Sequence, residues 1–121
     1  MKNILIISLF LLLNQALMAQ KLKLIESKEE IIREATMELN KAMETPEGTL
    51  YMFAQDKKIT GEYTLQLTIR DKGNVVSVFV ADKKDWNIPS QNNLKDKLLD
   101  FRFGFKMPKN KDYKFTYVFK F

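Results

Sequence analysis

The chain has 121 residues, with 20 lysines and arginines against 15 aspartates and glutamates, a formal net charge of +5, and neither histidine nor cysteine. Without histidine it lacks the commonest general base, the usual partner of a serine nucleophile and the favoured zinc ligand; without cysteine it lacks thiol nucleophiles and disulfide staples. A catalytic role, a cofactor and a bound metal are therefore not expected, and the mild, dispersed positive charge differs from the clustered basic stripe of nucleic-acid binders.

Met1-Lys2-Asn3 leads into an apolar run from Ile4 to Leu13, which Asn14 and Gln15 interrupt before the small residue Ala19. The run has the length of a secretory signal-peptide core and falls short of the roughly 20 apolar residues that span a bilayer. This predicts a cleavable signal peptide over residues 1–19 and a single domain over residues 20–121. No cysteine follows the apolar run to take a lipid. The expected setting is bacterial, periplasmic or secreted, with membrane contact only through the transient signal peptide.

Residues 20–26 form a short lead-in, and Ser27 opens a helix. Ser27-Lys28-Glu29-Glu30 has capping-box spacing, in which the serine oxygen accepts from the amide three residues on and the glutamate reaches back to the cap. Ile31, Ile32, Ala35, Leu39, Ala42 and Met43 recur at intervals of three and four and so share one face. Thr45-Pro46-Glu47-Gly48 ends the helix, because proline cannot continue the hydrogen-bond ladder. Thr49 to Gln55 then reads as a first strand, Leu50, Met52 and Ala54 alternating with Tyr51, Phe53 and Gln55.

From Ile59 to Arg70, Tyr63, Leu65, Leu67 and Ile69 alternate with Thr64, Gln66, Thr68 and Arg70, a strand with one face in the core and one in water. Asp71-Lys72-Gly73-Asn74 carries turn chemistry and predicts a hairpin into Val75–Ala81. There Val76, Val78 and Val80 are expected on one face, and Val75, Ser77, Phe79 and Ala81 on the other. Asp82 to Pro89 is a polar loop holding Trp86, and Ser90 caps a second helix whose Leu94, Leu98, Leu99 and Phe101 share a face. After a turn at Lys109-Asn110-Lys111-Asp112, the last strand sets Tyr113, Phe115, Tyr117, Phe119 and Phe121 against Lys114, Thr116, Val118 and Lys120. The element order is α-β-β-β-α-β, and the expected fold class is α+β: a two-layer sandwich, mainly antiparallel sheet with helices on one face.

From Gly61 to Phe121 the chain resembles the carboxy-terminal domain of the energy transducer TonB and its relatives among exported bacterial proteins. The resemblance rests on Gly61-Glu62-Tyr63, on Leu67-Thr68-Ile69-Arg70-Asp71-Lys72-Gly73-Asn74-Val75 and on Val78-Phe79-Val80, followed by a helix, Phe103, Pro108 and a closing aromatic strand. The long proline-rich spacer of the transducers and the Tyr-Pro pair that opens their domain are absent from this sequence. The resemblance implies the sheet-and-helix architecture and a periplasmic role in binding a protein or peptide segment; it does not carry energy transduction with it.

Several constellations have plainer explanations than chemistry. Asp71, Asp82 and Asp85 lack the alternating ligands and turn glycine of a calcium loop and read as solvated charges. Glu29, Glu30, Glu34 and Glu38 fall on the polar side of the first helix. Phe101-Arg102-Phe103-Gly104-Phe105 lacks the basic residue and glycine that open an RNA-stacking strand, and reads as core. The candidate partner-binding residues are Trp86, an indole in a polar loop, and Lys114, Thr116, Val118 and Lys120 on the last strand. If that strand is outermost, its unpaired amides and carbonyls can receive a partner strand, while its lysines discourage indiscriminate pairing. The sheet order decides this. The functional expectation is an exported, non-catalytic module that binds a protein or peptide in the cell envelope; the alternative is a secreted inhibitor or immunity-type protein that blocks an enzyme or toxin.

Overall fold

Apolar spacing and capping set the helices. In a computed structural model, which describes residues 22–121, a short strand β1 (Lys23–Leu24) precedes helices α1 (Lys28–Ala42) and α2 (Thr49–Lys57). Ser27 caps α1, its hydroxyl accepting from the Glu30 amide at 3.5 Å, and Ile31, Ala35, Leu39 and Ala42 form the buried face. The expected signal peptide over residues 1–19 lies outside the described residues. Among those described, no helix is long and apolar enough to cross a membrane.

The segment Thr49–Gln55 is helical, a correction to the strand expected there. Its run of apolar side chains carries no strong period, and the packing resolves it: Leu50 and Ala54, four apart, are buried, while Met52, which a strand would place beside them, is 57% exposed.

The sheet proper comprises β2 (Glu62–Ile69), β3 (Val75–Lys84) and β5 (Tyr113–Lys120), all antiparallel, in the order β3-β2-β5. Between β3 and β5 come α3 (Ile88–Leu99) and a two-residue strand β4 (Phe105–Lys106), which pairs in parallel with β1. The fold is thus α+β, with helices packed on one face of an antiparallel three-stranded sheet. Tyr63, Leu65, Leu67 and Ile69 from the central strand meet Phe115 and Phe119 from β5 and Leu94 and Leu98 from α3 in one core. Phe103 and Phe105 join it, Phe103 meeting Phe101 and Phe115 edge-to-face with ring centroids 4.9 Å and 6.2 Å apart, so these rings serve the core as expected.

Three further details depart from the sequence reading. The β2–β3 register slips between Thr68 and Ile69, pairing Ser77 with Thr68 and Val75 with Ile69, so that Val75 is buried and Val76 takes up the bulge. The cap of α3 is Asn87 instead of Ser90: its Oδ1 accepts from the Ser90 amide at 2.9 Å and Pro89 sits in the first turn, where its missing amide costs no bond. Leu98 faces the core and Leu99, a hundred degrees further round the helix, is 44% exposed.

The hairpin turn holds the remaining loop in place. Gly73 sits at φ +80°, and a β-carbon there would lie 2.5 Å from the Phe103 carbonyl oxygen. Its own carbonyl accepts from the Phe103 amide at 2.8 Å, and the Asp71 carbonyl accepts from the Met107 amide at 2.7 Å.

Candidate functional site

Because β2 is central, β5 is paired on one side only among the described residues. Its register against β2 runs unbroken from Glu62–Lys120 to Ile69–Tyr113. The Phe121 amide donates to the Gly61 carbonyl at 3.0 Å, which marks that opposed pair as hydrogen-bonded. In an antiparallel ladder such pairs alternate, so Tyr113, Phe115, Tyr117 and Phe119 direct their backbone groups to β2. Lys114, Thr116, Val118 and Lys120 direct theirs outward, away from the sheet. All four side chains are exposed on the face opposite the helices, so the four β5 residues singled out in the sequence are also those whose main-chain groups form the free edge.

The other edge differs. β3 carries two register shifts, opposite Thr64/Leu65 and Thr68/Ile69. Bulges twist an edge and interrupt the regular spacing that a pairing strand needs. β5 has eight residues without a break, which makes it the better template.

Helix α1 flanks β5 on the core side, where the Tyr117 hydroxyl donates to Asn40 Oδ1 at 2.6 Å. Burial raises the Tyr117 phenol above its ordinary range, so it stays a donor at neutral pH. Tyr113 and Tyr117 are half-buried against the core, as is Ile32 on α1. Nothing in the spacing of the sequence joins Asn40 to Tyr117; that contact depends on how α1 crosses the sheet.

Trp86 is brought elsewhere. It follows β3, with the central strand between it and β5, and is 43% exposed. The Lys83 ammonium lies 3.4 Å from its ring centroid and also donates to Gln91 Oε1 at 3.3 Å. One face of the indole is thus occupied by a cation of its own chain, and Trp86 does not form one surface with the β5 edge. Phe79, which the sequence did not mark as a site, is 62% exposed, opposite Gln66, which in turn faces Thr116.

The acidic residues do not converge. Asp71 lies at the hairpin turn beside Ile69, whereas Asp82 pairs with Thr64 and Asp85 lies beyond Lys84 toward the other end of the sheet. Among the described residues no group of three or more potential metal ligands gathers. Glu38 is held on the other side of α1 from Asn40, its Oε1 accepting from the Gly104 amide at 2.7 Å. Burial pushes its carboxyl above the ordinary value, the Gly104 bond pulls it down, and the neighbouring Glu34 adds to the rise. It lines an open cavity of about 600 Å³ with Lys41, Glu44, Glu47, Phe101 and Arg102, a mixture of opposed charges. Comparison with protein-family models, with curated proteins and with solved structures finds no match to this chain.

Proposed function

We propose that this chain is an exported, non-catalytic module that binds a protein or peptide by taking an extended segment onto the free edge of β5. The observation that carries the reading is the edge itself: a regular eight-residue strand, unpaired among the described residues along Lys114, Thr116, Val118 and Lys120. Main-chain bonds along such an edge supply affinity, and alternate side chains supply selectivity. The apolar run at Ile4–Leu13 and the small Ala19 support export, and the absence of histidine and cysteine supports binding over chemistry. The likeness of Gly61–Phe121 to the TonB carboxy-terminal domain points to the same class of role, in the periplasm or beyond it.

The test is site-specific photo-cross-linking in the producing cell, with a photoreactive residue at Thr116 and, as a control, at the exposed Asp96 of α3. A discrete partner captured from Thr116 alone supports the reading, and capture equal at both positions contradicts it. Recovery of a hydrolase or toxin, inhibited by the purified chain, would favour an inhibitor over a general binding module.

A further inference from the structure

The charge pattern along the free edge narrows what can pair with it. Lys114 and Lys120 stand at its two ends, six residues or about 20 Å apart, with Thr116 and Val118 between them. Neither lysine forms an ion pair: among the described residues the sole bridge is Arg70–Asp112, at 3.1 Å. That bridge occupies Asp112, the carboxylate nearest Lys114 in sequence, with both its oxygens on Arg70. At the other end Glu62 lies opposite Lys120, but Lys84 faces the same glutamate from β3. Asp112 still feels the Lys114 charge, but neither lysine has a carboxylate of its own within salt-bridge distance among the described residues, so the edge presents two ammonium groups at a fixed spacing.

A second copy of the chain fits this pattern badly. Two β5 edges paired antiparallel with full overlap turn about Tyr117, which sets Lys114 of one copy opposite Lys120 of the other at both ends of the ladder. Like charges directly opposite one another across strands are destabilising. Sliding the register relieves the clash only by giving up rungs of the ladder.

We propose that Lys114 and Lys120 make the β5 edge selective for an extended acidic segment, with carboxylates six residues apart and β-branched residues between them, and refuse a second copy of this chain. The inference rests on the edge-pairing reading. The six-residue spacing serves parallel and antiparallel docking alike, because both place alternate side chains of the incoming strand on the lysine-bearing face. Thr116 and Val118 then face the β-branched positions, where cross-strand pairs of that type are favourable.

The probe is a capped nonapeptide with glutamate at its second and eighth positions and threonine or valine at the fourth and sixth. Its counterparts carry glutamine or lysine in place of both glutamates. Binding to the chain is followed through the amide resonances of Lys114, Thr116, Val118 and Lys120. Two exposed ion pairs predict a glutamate peptide about 2- to 30-fold tighter than the glutamine peptide, and a lysine peptide weaker than both. The preference shrinks in high salt and vanishes in the double variant Lys114→Gln, Lys120→Gln. Equal affinity for the glutamate and glutamine peptides would overturn the selectivity while leaving edge pairing intact. If no peptide shifts the four amides, edge pairing itself is wrong and the selectivity goes with it. Concentration-dependent protection of the same amides without peptide would show self-pairing and would also overturn the proposal.

Discussion

Replacing Gly73 with alanine is expected to destabilise the fold far more than the same change at Gly104. At Gly73 two costs add. A side chain at φ +80° incurs about 1–2 kcal/mol for the left-handed backbone. The new β-carbon would also lie 2.5 Å from the Phe103 carbonyl oxygen and 2.7 Å from that of Phe105. These are backbone atoms, fixed by the Phe103–Gly73 hydrogen bond at 2.8 Å and by the pairing of β4 with β1, so relief requires the whole segment to move. Overpacking of this kind costs about 1–3 kcal/mol, and together the two give about 2–5 kcal/mol. At Gly104 the nearest atom to an added β-carbon is the Glu38 carboxylate oxygen at 3.4 Å, the end of a flexible side chain, and the expected cost is below about 1 kcal/mol. Urea denaturation followed by circular dichroism measures both. A Gly73→Ala variant within about 1 kcal/mol of wild type would refute the argument that this turn is locked against the Phe103–Phe105 segment.

Three other outcomes are expected. Thr116→Pro removes an amide from the free side of β5 and should fold, whereas Tyr117→Pro removes one that bonds to β2 and should be clearly the less stable of the two; a Thr116→Pro variant less stable than Tyr117→Pro would mean that the ladder alternates the other way. Asn87→Ala removes the cap of α3 and the Asn87 Nδ2 bond to Thr60 Oγ1 at 3.0 Å, for a loss of about 1 kcal/mol in the same assay. Glu38 has a folded-state pKa above its ordinary 4.5, so its contribution to stability is fully present below that value and is lost as pH rises through the raised one. Glu38→Gln should therefore flatten the dependence of the urea midpoint on pH above 4.5, and an unchanged slope would show that burial of Glu38 does not govern it.

The parts of the fold readable from the sequence are those where a period and a cap agree. Ser27 with Ile31, Ala35 and Leu39 marks α1, and the Tyr63–Ile69 alternation marks the central strand. Where every residue is apolar, as from Leu50 to Ala54, helix and strand satisfy the same local pattern, and only the tertiary burial of Leu50 and Ala54 decides between them. The bulge at Val76 is equally silent, since one inserted residue changes a face without changing composition. The candidate site was half legible. Alternation put Lys114, Thr116, Val118 and Lys120 on the solvent face, but whether their main-chain groups were free depended on strand order, a long-range property. Trp86 stood out by composition; its partner Lys83 is three residues away, yet nothing in a polar loop fixes which face of the ring the ammonium covers.

The most direct measurement is residue-resolved amide exchange along β5, in the free chain and with the glutamate nonapeptide bound. The account predicts that Lys114, Thr116, Val118 and Lys120 exchange rapidly in the free chain, that Phe115, Tyr117 and Phe119 are protected, and that binding slows the first four. Protection of those four amides in the free chain, or slowing confined to β3 or to the Trp86 loop on binding, would contradict it.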